Sequence, residues 1–230
     1  MFGKTTAGLA GALSFFCMAT GQAAEIRALT ENCETALALS AGPETLQKGA
    51  GVFVLGTAGY ELARESENGF YCLVERTHFE SVIPQCFDPA SRAGNLAIIL
   101  DEGKMLKSGT EFEDLRAWRE KALTEGKYPP SSPGLVYMIS NYNYIFNGEN
   151  FIKAAPHVMY HAPFLKNVDI GANPREAFSN RGLPIINAEG VHGFMISFVE
   201  KTSPTKPVED ACQGQLPDPN LWQPFPPVGN

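Results

Sequence analysis

Three of the four histidines fall in the C-terminal half of the 230-residue chain, at His157, His161 and His192. Imidazole is the side chain best suited to moving protons near neutral pH, and its nitrogens also bind metals. On a helix, the His157-x-x-x-His161 spacing would let two imidazoles share one ion. The residues between them are Val-Met-Tyr, with Pro156 before and Pro163 after, and that composition predicts a strand. Four residues along a strand span about 13 Å, so the two rings share a face but not an ion. His157 is a candidate for any chemistry. Asp169 or His192 would be its partner, with Glu189 a further group that only tertiary folding could bring near. No metal or cofactor is expected.

Other catalytic signatures are missing. There is no Gly-x-Ser-x-Gly elbow, no Gly-x-Gly-x-x-Gly run and no phosphate loop. The alternation Asn141-Tyr142-Asn143-Tyr144 offers aromatic faces to a ligand, or simply one solvated face of a hairpin.

Residues 1–23 read as a cleavable secretory signal. Lys4 supplies the positive start, 7–20 is apolar and small, and Gly21-Gln22-Ala23 fits a peptidase site. The run is too short for a transmembrane anchor, and the bulky Phe16 before Cys17 disfavours lipidation. The expected location is the periplasm or the extracellular space. That compartment is oxidising, so Cys33, Cys72, Cys86 and Cys212 are expected to pair. Of the three possible pairings, closeness in sequence across a turn-rich loop favours Cys72–Cys86, which leaves Cys33–Cys212. The cysteines lack the spacings of a redox or zinc site.

Removing residues 1–23 takes away only Lys4 among the charged groups, leaving 17 basic against 25 acidic side chains. That balance argues against a nucleic-acid partner. The remaining chain suits one domain over 24–202 and a tail over 203–230 with frequent prolines, expected to be extended and tied down by Cys212.

The elements that must position these residues follow from pattern. A short helix is predicted over 30–41, closed by Gly42, with a second turn opened by Pro43. Strands at 51–57, 60–66 and 70–77 suggest a meander, with Asn68-Gly69 as a hairpin turn. Residues 78–94 read as a loop and 95–100 as a short strand. A helix over about 110–125 carries a Thr110/Glu113 capping box, an inward stripe of Phe112, Leu115, Arg119 and Ala122, and a stop at Gly126. Further strands are expected at 135–140, 142–146, 150–154, 157–161 and 192–199, with Asn147-Gly148 as a hairpin turn and 163–190 irregular. The fold class is α+β, a mainly antiparallel sheet with one good helix and short N-terminal helices, stapled by disulfides.

The segments Asn68–Arg76 (NGFYCLVER), Pro84–Asp88 (PQCFD), Pro133–Ser140 (PGLVYMIS), Pro156–Pro163 (PHVMYHAP) and Asn167–Ala172 resemble motifs in a group of small secreted bacterial proteins. The resemblance covers roughly 30–200 and implies a secreted bacterial origin but no activity. Together these features point to a secreted or periplasmic domain that binds a small ligand or an envelope partner without catalysis. A hydrolase using His157 with Asp169 or His192, with or without a metal, is the alternative.

Overall fold

The computed structural model describes residues 25–130, 133–146 and 149–225. The expected signal segment, Cys17 and the expected Asn147-Gly148 turn lie outside them. The chain is α+β, and among the described residues no helix is long and apolar enough to cross a membrane.

Helix α1 spans Glu31–Ser40 and starts where the Thr30 hydroxyl accepts the Cys33 N–H. Cys33, Leu37 and Ala38 form its buried face. The short α2, Glu44–Gln47, follows Pro43. Strands β1 (Gly51–Leu55) and β2 (Tyr60–Arg64) make a hairpin, but β3 (Tyr71–Glu75) pairs with β1 in parallel, not with β2. The expected meander is thus corrected. The Asn68-Gly69 turn carries the chain across the start of β1, where the Asn68 side chain donates to Leu46 O and accepts from Phe70 N–H. Gly51 makes the crossing possible, since a Cβ there would lie 2.5 Å from the Tyr71 ring.

Strand β4, Ile83–Phe87, occupies what the sequence presents as a loop. It pairs with β3 so that Cys72 faces Cys86 directly, with Cα atoms 4.0 Å apart, and the two are disulfide-bonded. That close spacing marks a non-hydrogen-bonded pair. Val74 and Pro84, two residues on, are of the same kind, so the ring nitrogen of Pro84 points away from β3. Strand β5 (Leu135–Met138) covers only Cys86 and Phe87, so no ladder bond is lost at the proline.

Helix α3, Ala97–Lys107, replaces the strand expected at 95–100 and is led in by 3-10 and π turns from Pro89. Its own cap explains why the Thr110 capping box does not form. Gly109 sits at φ +89 and the Thr110 N–H returns to Met105 O, ending α3 in a Schellman-type turn. Helix α4 therefore starts later, at Phe112–Thr124, with Glu111 at its N-cap.

Beyond β5 come β6 (Tyr144–Phe146), β7 (Phe151–Ala154), β8 (His157–His161), a 3-10 turn at Asn167–Ile170, α5 (Pro174–Ser179), β9 (Ile185–Ala188) and β10 (Phe194–Phe198). Strand β9 and α5 lie inside the stretch expected to be irregular. The large sheet has the order β2-β1-β3-β4-β5-β8-β10-β9. One face, through Cys72, Val74 and Cys86, packs on α1, and the other, through Leu73, Phe87 and Val136, packs on α3.

The C-terminal segment is not the extended tail its prolines suggest. It forms α6 (Lys206–Ala211), a 3-10 turn and β11 (Gln223–Phe225), which joins β7 and β6 in a second sheet. Its prolines sit where helices tolerate them, with Pro207 and Pro219 in first turns. Val208 and Trp222 are buried, the latter against Tyr144 and Phe151. Cys212 is bonded to Cys33, fastening α6 to α1.

Candidate functional site

The side of the sheet that carries α3 and α4 is only partly covered. Between those helices and the strands from β3 to β9 lies a cleft of about 570 Å³. It crosses six adjacent strands, a run of about 24 Å at the usual spacing between neighbours. Its walls are mostly apolar: Ile83 and Phe87 on β4, Met138 on β5, Met159 on β8, Ile196 on β10, and Ile98 and Ile99 on α3. The alternation along each strand brings these residues to one face, since every second side chain points the same way.

Polar groups cluster at the two ends. At the β3 end are Glu75, Thr77, Gln85 and Arg119. Arg119 is bonded to both Glu75 and Glu102, reaching Glu102 through Nε at 2.6 Å, and the Gln85 amide donates to Glu75. Burial pushes the Glu102 carboxyl up, with Arg119 pulling the other way. Burial also works against the charge on Arg119, but the two carboxylates beside it win and raise its pKa. At the β9 end are Asn187, Glu189 and His192.

His157 lies on the cleft wall, buried, and its Nδ1 donates to Ala155 O at 2.7 Å. Burial lowers its pKa, and the carbonyl bond offsets this only in part. The ring is therefore neutral at pH 7, with its lone pair on Nε2. His192 lines the same cleft, its pKa is also lowered by burial, and its Nδ1 is buried without a hydrogen-bond partner. Asp169 is elsewhere: its carboxylate accepts the Lys166 N–H and holds the 3-10 turn. Of the three candidates, then, His157 and His192 share the cleft and Asp169 does not, whereas Glu189 does.

His161 makes a contact that spacing did not reveal. Its Nε2 lies 3.0 Å from the Ser91 hydroxyl, which lies 2.7 Å from Asp88. This is not a hydrolytic triad, because the serine proton goes to the carboxylate and Ser91 is fully buried. It secures the turn that leads into α3. The Asn141–Tyr144 alternation is structural too, with Asn143 and Tyr144 buried and the Asn143 amide bonded to Met138 O and Ser140 O. Among the described residues, no three His, Cys, Asp or Glu side chains gather as metal ligands.

The Glu75–Arg119–Glu102 network was not among the sequence candidates, although a signal for it exists. Arg119 falls on the inward stripe of α4, where a charged residue needs a buried partner.

The neutral state of His157 has a measurable consequence. A histidine whose folded-state pKa is depressed contributes stability that is present above its ordinary value of 6.5 and is lost as pH falls through the lowered value. The raised carboxyls Glu34 and Glu102 act in the opposite sense at lower pH. Comparison with His157→Gln isolates the histidine: the Tm of wild type relative to the variant should decline between pH 7.5 and 5.5. A constant difference would show that His157 is not held neutral.

No family model, no curated protein and no solved structure matches this chain.

Proposed function

We propose that this is a secreted protein, directed to the periplasm or the extracellular space by residues 1–23, that holds an elongated apolar small molecule in the cleft without transforming it. The observation that carries this reading is a cleft of about 570 Å³ walled by aliphatic and aromatic side chains across six strands. A soluble fold gains nothing from leaving such a surface open, and a cavity of this size and character suits a small organic ligand. The two disulfides are consistent with an oxidising compartment. The motif resemblance to small secreted bacterial proteins supports the same location.

Straight-chain alcohols of increasing length provide the test, read by displacement of a fluorescent apolar probe. Burial is worth about 0.8 kcal/mol per CH₂, so affinity should rise about fourfold per added methylene until the cleft is full. Ala188 lines the cleft near its β9 end, and Ala188→Trp should weaken binding at least tenfold while leaving Tm nearly unchanged. Affinity independent of chain length, or of this substitution, would refute the reading.

A hydrolase remains the second reading because His157 and His192 share the cleft. Turnover of simple esters that disappears in His157→Ala would favour it.

A further inference from the structure

We infer that the polar end of the cleft's ligand donates hydrogen bonds and carries no negative charge, as in a long-chain alcohol or amine rather than a fatty acid. This rests on the reading of the cleft as an apolar-ligand site and concerns the head group that such a ligand bears.

Charge disfavours an anionic head. Among the described residues that line the cleft, Arg119 is the only lysine or arginine. It is already shared between Glu75 and Glu102, so its positive charge is more than compensated where it stands. At the other end stands Glu189. Whichever way round the ligand lies, its head meets carboxylates and no uncommitted cation. In a partly dry cleft a like charge is repelled far more strongly than in water. An anionic head would also lose its hydration with no compensating partner.

Hydrogen-bond chemistry favours a donating head. The His157 ring spends its N–H on Ala155 O, so Nε2 can only accept. Glu75 and Glu189 offer acceptor oxygens. Thr77 also lines the cleft, and its hydroxyl oxygen is buried with no hydrogen-bond partner, as is Nδ1 of His192. Buried polar atoms seldom stay unpaired, so these two orphans, one at each end, point to a group supplied from outside the chain. Thr77 and His192 can take either role, so the acceptor-only groups discriminate: Nε2 of His157 and the carboxylates cannot donate, and a hydroxyl or ammonium head satisfies them where a carboxylate does not.

Three ligands with the same twelve-carbon chain separate the possibilities: dodecanol, dodecylamine and laurate. Each competes with the fluorescent probe at pH 7.5 below its micelle-forming concentration. The alcohol and the amine should displace the probe, and laurate should need at least a tenfold higher concentration. Laurate binding as tightly as dodecanol would overturn the inference while leaving the apolar cleft intact. If none of the three displaces the probe, the cleft reading fails and the inference falls with it. Glu75→Gln keeps the side-chain shape and removes one charge, so it should narrow the gap between laurate and dodecanol. An unchanged gap in a folded variant would count against the inference. Should the variant fail to fold, the wild-type series still decides.

Discussion

Replacing Cys33 and Cys212 together by alanine should cost about 5 kcal/mol of folding stability. The bond closes a loop with a sequence separation of 179, and the chain-entropy model gives about that value for so long a loop. Typical domains are stable by about 5–15 kcal/mol in total, so the loss is a large fraction of the whole. The same bond fastens α6, and the chain beyond it supplies Trp222 to the core around Tyr144 and Phe151. The Cys72–Cys86 bridge closes a separation of only 14, worth about 3 kcal/mol in the same model. It also joins strands that already pair over five residues. Urea unfolding of the two double variants checks the order, and a larger loss on removing Cys72–Cys86 would contradict it.

The second large effect concerns the other face of the sheet. Glu34 on α1 and Arg76, just beyond β3, form an ion pair at 3.4 Å with side chains only 4% and 1% exposed. Glu34 also accepts the Leu55 N–H, and burial raises its pKa against the pull of Arg76. Nε and Nη1 of Arg76 have no hydrogen-bond partner, and among the described residues Glu34 is the one carboxylate within ion-pair distance of it. Arginine cannot escape by losing its proton. Glu34→Ala should therefore destabilise by about 3–5 kcal/mol, the usual result of stranding one member of a buried pair. Replacing both residues with apolar ones of similar size, Glu34→Leu with Arg76→Met, should recover most of that loss. A Glu34→Ala variant within 1 kcal/mol of wild type, measured by urea unfolding, would mean that Arg76 reaches water when its partner is gone.

These two features were not equally legible in the sequence. The disulfides were, because a separation of 14 across turn-forming residues leaves one natural partner and the remainder follows. The α4 helix and the strands bearing His157 and the 194–198 segment were legible because each has a clean period. Strand β4 was not, because Pro84 is depleted in strands and only the short reach of β5 makes it harmless. The run at 95–100 looks like a strand by its Ile-Ile-Leu composition. It is helical because Gly103, one turn on, lets α3 approach Tyr60, whose ring lies 2.4 Å from where a Cβ would be. The parallel β1–β3 pairing depends on a crossing that no local pattern encodes. The tail misleads in the opposite direction, since its prolines suggest extension while Val208 and Trp222 anchor it.

For the site, the histidines were visible and their meeting was not. His157 and His192 reach one cleft only because β8 and β10 are sheet neighbours. The Glu75–Arg119–Glu102 network joins β3, α3 and α4 and has no signature beyond one charged residue on an apolar stripe. A cleft formed by what two helices leave uncovered cannot be read from periodicity at all.

The proposed apolar ligand lies between the sheet and the α3–α4 pair. Four methionines lie beyond residue 23: Met105, Met138, Met159 and Met195. Met138 and Met159 line the cleft and the other two do not. Titrating dodecanol into protein labelled with ¹³C at the methionine methyls tests for it there. The Met138 and Met159 signals should shift together and saturate, while those of Met105 and Met195 stay in place. Shifts confined to Met105 or Met195, or no shift at any of the four, would contradict binding in the cleft.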